Sequence, residues 1–267
     1  MIIERKFIID LKIKPFYITR LSYIDRIKLL MMVAMTVGHW SWAFVPTDTM
    51  LSHTLHFFAR ITIPLACFLV VIGYQKTHNL TAYVWRMFGF ALLAQVPFIL
   101  SQVPLVELLA YPSYLWYGGN VLFSLGFALS ALILIHRYRL ASEPLIKLLY
   151  ILAVIVLGLL SLWSDWSYAV MVWVLAIFYY GIRGFIAVSL LFLGLSAVVS
   201  LPYHHRLVPL VASSPMDYGV FLAVPIMYWY HTNKHRSPTA FRLPRLTFYW
   251  YYPLHLLVIS YLAFGFW

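Results

Sequence analysis

Residues 26–40 read RIKLLMMVAMTVGHW, and this segment sets the architecture expected for the whole chain. Two cations, Arg26 and Lys28, precede an apolar run that is typical of a membrane-spanning helix. His39 lies near the end of that run, about 16 Å beyond Lys28 at ~1.5 Å per helical residue. An ionisable side chain inside hydrocarbon points to a functional site. His39 is therefore the first candidate site residue.

The composition predicts an all-α polytopic membrane protein. Of the 267 residues, 63% are hydrophobic and 10% are charged, whereas a soluble domain carries about 25% charged residues. The single cysteine, Cys67, excludes a disulfide framework and a thiolate metal cluster, and we predict no metal site. The net charge of +11 would suggest nucleic acid as the partner of a soluble protein. Because these cations lie mostly in the connections between apolar runs, we expect no nucleic-acid partner.

Apolar runs of spanning length predict one bundle of about nine transmembrane helices. Residues 1–25 are interpreted as a basic cytoplasmic or interfacial segment, and residues 26–267 as the transmembrane domain. The nine runs cover residues 27–45, 54–75, 84–103, 118–136, 145–163, 166–181, 184–202, 217–231 and 247–266.

The distribution of basic residues predicts the orientation. With the N-terminus in the cytoplasm, all of the 19 lysines and arginines except Arg60 and Arg206 fall on the cytoplasmic side. An odd number of helices then places the C-terminus in the periplasm. We expect the lipid bilayer of a bacterial inner membrane as the surroundings of the chain.

In this topology His39 and Arg60 lie at similar depth, roughly 9 Å below the outer boundary. A guanidinium keeps its proton at any physiological pH, so Arg60 must face a partner or a wet cavity. The alternative for His39 is a simple hydrogen bond to a backbone carbonyl. The alternative for Arg60 is a structural clamp that snorkels outward.

Two further residues complete the candidate catalytic set with His39 and Arg60. Asp165 lies in a tight turn, where it either belongs to the site or caps a helix. His255 follows Pro253, which leaves a backbone carbonyl without its helical partner, and the imidazole can simply bond to that carbonyl. The other interpretation is a functional site, because His39 is a second histidine inside an apolar run. His53 and His56 are interpreted as surface residues, because no third metal ligand follows at suitable spacing.

An imidazole base beside a fixed cation suits acyl transfer from a thioester. A general base contributes about 10²–10⁴-fold, and a group that stabilises the oxyanion contributes a similar factor. No Ser-His-Asp spacing indicates a covalent route, so direct transfer is favoured. Three alternatives stay open: an O-acyltransferase for a glycan or lipid hydroxyl, a transporter of an anionic solute, and a non-catalytic assembly protein.

Several blocks of sequence resemble the TraX family, the membrane acetylases of F-type conjugative pilin. The most specific block is FYWYYPLHL at residues 248–256. The others are Ile27-Lys28 through His39, RITIPLACF at 60–68, GYQKTHN at 73–79, QVPF at 95–98 and NVLFSL at 120–125. The spacing of Lys28 and His39 is also similar to a basic-x10-His element of the larger transmembrane acyltransferase superfamily.

The resemblance implies N-acetylation, dependent on acetyl-CoA, of a pilin subunit inserted in the inner membrane. It also implies that His39 is the catalytic base. The family commonly has an aspartate just before this histidine, and this chain has Gly38. A carboxylate that orients His39 then has to come from elsewhere, with Asp165 or Asp217 as candidates. Phosphates favour basic rims, so the candidates for the CoA headgroup are Lys28, Arg86, Arg183, Arg242 and Arg245.

Overall fold

A computed structural model describes residues 21–116, 118–164, 167–198, 215–233, 242–244 and 246–265. Two predicted site residues, Asp165 and Arg245, lie outside the described residues, as does most of the basic segment 1–25. Within the described ranges the chain is helical and has no β-strand, which confirms the all-α prediction. The helices are α1 (Tyr23–Phe44), α2 (Met50–Ala59), α3 (Thr62–Lys76), α4 (Leu80–Leu100), α5 (Leu105–Ala110), α6 (Val121–Leu140), α7 (Pro144–Ser161), α8 (Ser167–Val198), α9 (Ala223–Asn233) and α10 (Thr247–Phe264).

Six helical segments of the described chain are long and apolar enough to cross a membrane. These six are fewer than the nine predicted runs, partly because α9 has only 11 residues. The multiple spans support a multi-pass membrane protein. The six are Tyr23–Phe44, Met50–Lys76, Leu80–Leu100, Val121–Leu140, Pro144–Ser161 and Ala169–Phe192.

Polar side chains fix where several helices begin. The Ser22 hydroxyl accepts a hydrogen bond from the Asp25 backbone N–H at the start of α1. The Asn79 side chain accepts one from the Ala82 N–H at the start of α4, at 2.8 Å. Such caps satisfy backbone donors that have no partner in the first helical turn.

The predicted helix 54–75 is interrupted in the structure between α2 and α3, at Arg60 and Ile61. Pro64 explains the position of the break. In a continuous helix its backbone nitrogen would donate to the Arg60 carbonyl, and proline has no N–H to donate. The interruption places Arg60 at a junction and not on a regular helical face.

The helix α8 is two helices joined at a kink, as the predicted connection at residues 181–184 requires. Gly181 has φ 63° and ψ −148°, a conformation essentially confined to glycine. Just beyond the kink, a Cβ built on Gly184 would lie 2.5 Å from the Ala176 carbonyl oxygen. Glycine at this position therefore lets the second half of α8 come back close to the first.

The core lies around α3, where Leu65 and Cys67 are fully buried. The helix α10 packs on α1 and α4, and α3 packs on α8. The helix α7 is peripheral: Ser161 is its only buried residue, and its apolar side chains face outward. This arrangement places the first and last described helices side by side.

Basic residues collect at one end of the bundle, which we call the basic end. The contacts that define it join the start of α1 to the segment 242–244, the end of α3 to α9, and the end of α6 to the kink in α8. Its basic residues are Arg26, Lys28, Lys76, Arg86, Arg137, Arg139, Lys147, Arg183 and Arg242. At the opposite end, Gly119 pairs with Ser164 and so joins the start of α6 to the end of α7.

Candidate functional site

Two of the predicted site residues, His39 and His255, meet where α1 packs on α10. His255 Nε2 lies 3.2 Å from His39 Nδ1, and the ring centroids are 5.1 Å apart. His255 is buried and His39 is half-buried. The sequence singled out both residues but did not pair them with each other. The pair joins the first described helix to the last.

Backbone carbonyls fix the tautomers of both imidazoles. His39 Nδ1 lies 2.9 Å from the Met35 carbonyl oxygen, and His255 Nδ1 lies 2.9 Å from that of Tyr251. A carbonyl oxygen only accepts hydrogen bonds, so in the neutral state each Nδ1 carries the proton. The His39 Nδ1–H is then shared with His255 Nε2, which accepts. His39 Nε2 keeps its lone pair and has no hydrogen-bond partner among the described residues.

A second polar layer lies one helical turn from the histidine pair. Thr36 Oγ1 and the Tyr251 hydroxyl share a hydrogen bond at 2.5 Å, and both hydroxyls also donate toward the Met32 carbonyl oxygen, at 3.0 Å and 3.5 Å. The Tyr251 ring also stacks on His255, with centroids 5.1 Å apart and planes 8° apart. The sequence interpretation missed both residues. The available signal was helical spacing: Thr36 precedes His39 by three residues and Tyr251 precedes His255 by four, so each lies on the same helical face as its histidine.

The helices α1 and α2 approach closely beside this pair. A Cβ on Gly38 would stand 2.8 Å from the Cβ of Ala59. Farther along, Trp42 Nε1 donates to His56 Nδ1 at 3.1 Å. His56 is only 7% exposed, so its interpretation as a surface residue is wrong. His53 is exposed, as interpreted.

Arg60 forms an ion pair with Asp217 across the interface between α2 and the 3₁₀ segment Pro215–Leu222. Arg60 Nε donates to Asp217 Oδ1 at 2.9 Å, and both side chains stay partly exposed. Gly219 permits this packing, since a Cβ there would lie 1.8 Å from the Phe57 carbonyl oxygen. Arg60 follows Ala59, the neighbour of Gly38, so it lies at a depth similar to that of His39. Asp217 therefore contacts Arg60, and in the described residues no carboxylate bonds to His39.

The remaining predicted site residues lie at the basic end, where the structure describes them. Lys28 Nζ donates to Asp25 Oδ1 at 3.0 Å. The Arg86 guanidinium lies 5.9 Å from the centre of the Tyr83 ring, and Arg183 and Arg242 are exposed. No cluster of three or more His, Cys, Asp or Glu side chains that could hold a metal occurs in the described residues.

The arrangement supplies a proton acceptor, a group that orients it, and a cation held by an ion pair at the junction of α2 and α3. His39 Nε2 can take a proton, and His255 holds the His39 ring from the other side. Imidazole is the side chain most often used for general acid–base catalysis. Asp217 holds the Arg60 guanidinium in one orientation. This chemistry suits transfer of an acyl group to a nucleophile that must lose a proton.

Comparison with known proteins extends these observations. The family model described as "TraX protein" matches residues 23–263. A curated relative is the "Probable fimbrial assembly protein FimC, serogroup H1" of Dichelobacter nodosus. The two chains are 26% identical over 237 residues, which is 88% of this chain and 93% of the relative. No solved structure matches the chain.

Proposed function

The chain belongs to the TraX family, and on that premise we propose that it is an acetyl-CoA-dependent acetyltransferase. Its acceptor is the N-terminal amine of a membrane-inserted conjugative pilin. The curated relative named as a fimbrial assembly protein supports a pilin-related partner. The observation that carries the proposal is the His39–His255 pair, which leaves the lone pair of His39 Nε2 available for a proton.

The reaction is a direct transfer. The neutral amine of the pilin attacks the thioester carbonyl carbon, and His39 Nε2 removes a proton from the attacking nitrogen. The C–S bond then breaks, the amide forms, and the proton passes from His39 to the departing thiolate as CoA leaves. Each atom is accounted for without an acyl-enzyme. Cys67 takes no part, because it is fully buried in α3.

Arg60 stabilises the negative charge that develops on the carbonyl oxygen. A guanidinium presents five N–H donors, and its ion pair with Asp217 fixes the plane in which they point. A preorganised donor of this kind contributes about 10²–10³-fold to acyl transfer. Asp165, outside the described residues, is a further member of the proposed catalytic set with His255.

The basic end faces the cytoplasm in this proposal, with the N-terminus inside and the C-terminus in the periplasm of the inner membrane. The positive-inside rule supports this orientation, and about nine crossings would connect the two termini. The CoA headgroup docks on cations of the basic end, for which the candidates are Lys28, Arg86, Arg183, Arg242 and Arg245. About 16 Å of helix at ~1.5 Å per residue separates Lys28 from His39, and the pantetheine arm spans this distance.

The test uses the purified full chain in nanodiscs with radiolabelled acetyl-CoA and pilin. We expect label on the pilin N-terminus, and a loss of about 10²–10⁴-fold in the His39→Gln variant, the contribution of a general base. His53→Gln is the matched control, because His53 is exposed on α2. Full transfer by the His39→Gln variant contradicts the assignment of the base.

The same assay separates the alternatives. Label on a lipid or glycan without label on pilin indicates an O-acyltransferase. Uptake of an anionic solute into proteoliposomes without any transfer indicates a transporter. Pilin binding without acetyl transfer indicates an assembly protein, which is the role given in the name of the curated relative.

A further inference from the structure

A groove of about 540 Å³ lies between the two halves of α8, beside the kink at Gly181. Val172 and Leu175 belong to one wall, and Ala187 and Val188 belong to the other. The walls are apolar, and each belongs to one of the two halves of α8 that meet at Gly181. Such an apolar groove borders on the acyl chains of the bilayer.

The shape of the groove follows from two glycines. The conformation of Gly181 reverses the helix direction, and Gly184 lets the second half of α8 approach Ala176 within contact distance. Both Ala176 and Gly184 line the groove near the kink. The groove is therefore built into the backbone and does not depend on a side-chain rotamer.

Polar groups gather where the groove meets the basic end. Arg183 lines it and is exposed. Tyr179 also lines it, and the buried Tyr179 hydroxyl has no hydrogen-bond partner among the described residues. The Arg139 guanidinium lies 5.5 Å from the centre of the Tyr179 ring. Arg183 is therefore the polar group of the groove that an approaching ligand can reach.

We propose that this groove binds an anionic phospholipid of the bilayer. One acyl chain lies along the apolar walls, and the phosphate lies against Arg183, at the end of the groove where Arg139 packs on the Tyr179 ring. Basic pockets between membrane helices recognise anionic headgroups in this way, and guanidinium groups are well matched to phosphate oxygens. The proposal does not depend on the acetyl transfer proposed above.

Charge complementarity supports a lipid with a net negative charge over a zwitterionic one. Arg183 is exposed, so its charge is available to an approaching headgroup. No carboxylate of the described residues lines the groove to neutralise it. The bilayer presents lipid to this surface continuously, whereas a soluble ligand would have to enter between lipid tails.

Native mass spectrometry of the purified full chain tests the headgroup preference. We expect phosphatidylglycerol to bind about fivefold more than phosphatidylcholine, the effect of roughly one basic residue at a membrane surface. Arg183→Gln should abolish this preference. Lys147→Gln is the control, because Lys147 belongs to the same end, sits over the Tyr138 ring and lines no part of the groove. Equal losses in both variants overturn the proposal.

Photo-crosslinking of the unaltered chain keeps the proposal testable if a variant fails to fold. Phosphatidylglycerol with a diazirine in its acyl chain should label the segment 172–188 several times more than α7, whose apolar residues are also exposed. Even labelling of the two segments overturns the proposal. Displacement of the lipid by excess CoA also overturns it, because Arg183 would then belong to the donor site alone.

Discussion

His39 and His255 show how two imidazoles on distant parts of the sequence become a defined pair inside a helical bundle. Each Nδ1–H bonds to the carbonyl four residues earlier in its own helix, so each ring is oriented by its own backbone. The contact between the rings then aligns α1 with α10. A histidine can serve in place of the orienting carboxylate expected from the resemblance.

Gly38 has a structural reason to be glycine. A Cβ at this position would meet the Cβ of Ala59 at 2.8 Å, so a larger residue has to push α2 away. The aspartate that the resemblance leads us to expect there would therefore require α1 and α2 to move apart. Close approach also brings Arg60, the residue after Ala59, to the depth of His39.

Tyr251→Phe should reduce acetyl transfer about tenfold, equivalent to about 1.4 kcal/mol of transition-state stabilisation. The hydroxyl bond to Thr36 positions the ring that stacks on His255. Stability should change little, because hydrogen bonds between membrane helices average about 0.6 kcal/mol. The check compares kcat and thermal unfolding in nanodiscs. Tyr261→Phe, an exposed tyrosine on the same helix, is the control. A loss in stability without a loss in kcat would assign Tyr251 a packing role only.

The sequence was sufficient to single out His39, His255 and Arg60 as candidates, because a charge or an imidazole inside an apolar run is unusual. It could not show that the two histidines touch, since 216 residues separate them and spacing along the chain does not show which helices pack together. Tyr251 and Thr36 escaped notice for another reason. With 20 tyrosines in the chain, one more in an apolar run carries little information.

At the scale of elements, the 3₁₀ segment Pro215–Leu222 packs on α2 and so stabilises the break between α2 and α3. Hydropathy finds a continuous run across residues 54–75, since Arg60 is the only charge in it. The break depends on a missing N–H at Pro64, which an average over a window does not register. The ion pair with Asp217 then supplies a partner for the charge at the junction.

Asp217→Asn should lower the free energy of unfolding by less than the ~3–5 kcal/mol typical of fully buried pairs. The side chains of Arg60 and Asp217 retain 24% and 18% of their exposure, so solvent screens part of the loss. A double-mutant cycle with Arg60→Met, followed by thermal unfolding, measures the coupling. A coupling energy within about 0.5 kcal/mol of zero, the usual error of additivity, would show that the pair does not stabilise the junction.

Gly181→Ala should destabilise the chain by about 1–3 kcal/mol, the cost of placing a Cβ in this backbone region. The matched control is Gly158→Ala on α7, where a Cβ meets nothing within 4 Å. There alanine should be neutral or stabilising by up to about 1 kcal/mol, since it favours helix. Unfolding in nanodiscs compares the two variants. Equal effects would mean that the kink is not under backbone constraint.

At the scale of the whole molecule, the proposed orientation predicts which loops a membrane-impermeant maleimide reaches in intact cells. Cys67 is fully buried, so the native thiol gives no background. Ser113→Cys, at the end opposite the cations, should label from outside. Ser142→Cys, between α6 and α7 at the basic end, should label only after the membrane is permeabilised. Both positions are exposed. The reverse pattern would invert the topology.

The pairing of the first described helix with the last has a consequence for biosynthesis. At about 5–20 residues per second, the ribosome needs roughly 10–40 s to add the residues between His39 and His255. During that interval the imidazole of α1 is in the membrane without its counterpart. The histidine pair therefore forms only after α10 has been synthesised, and a chain that terminates before α10 lacks the pair.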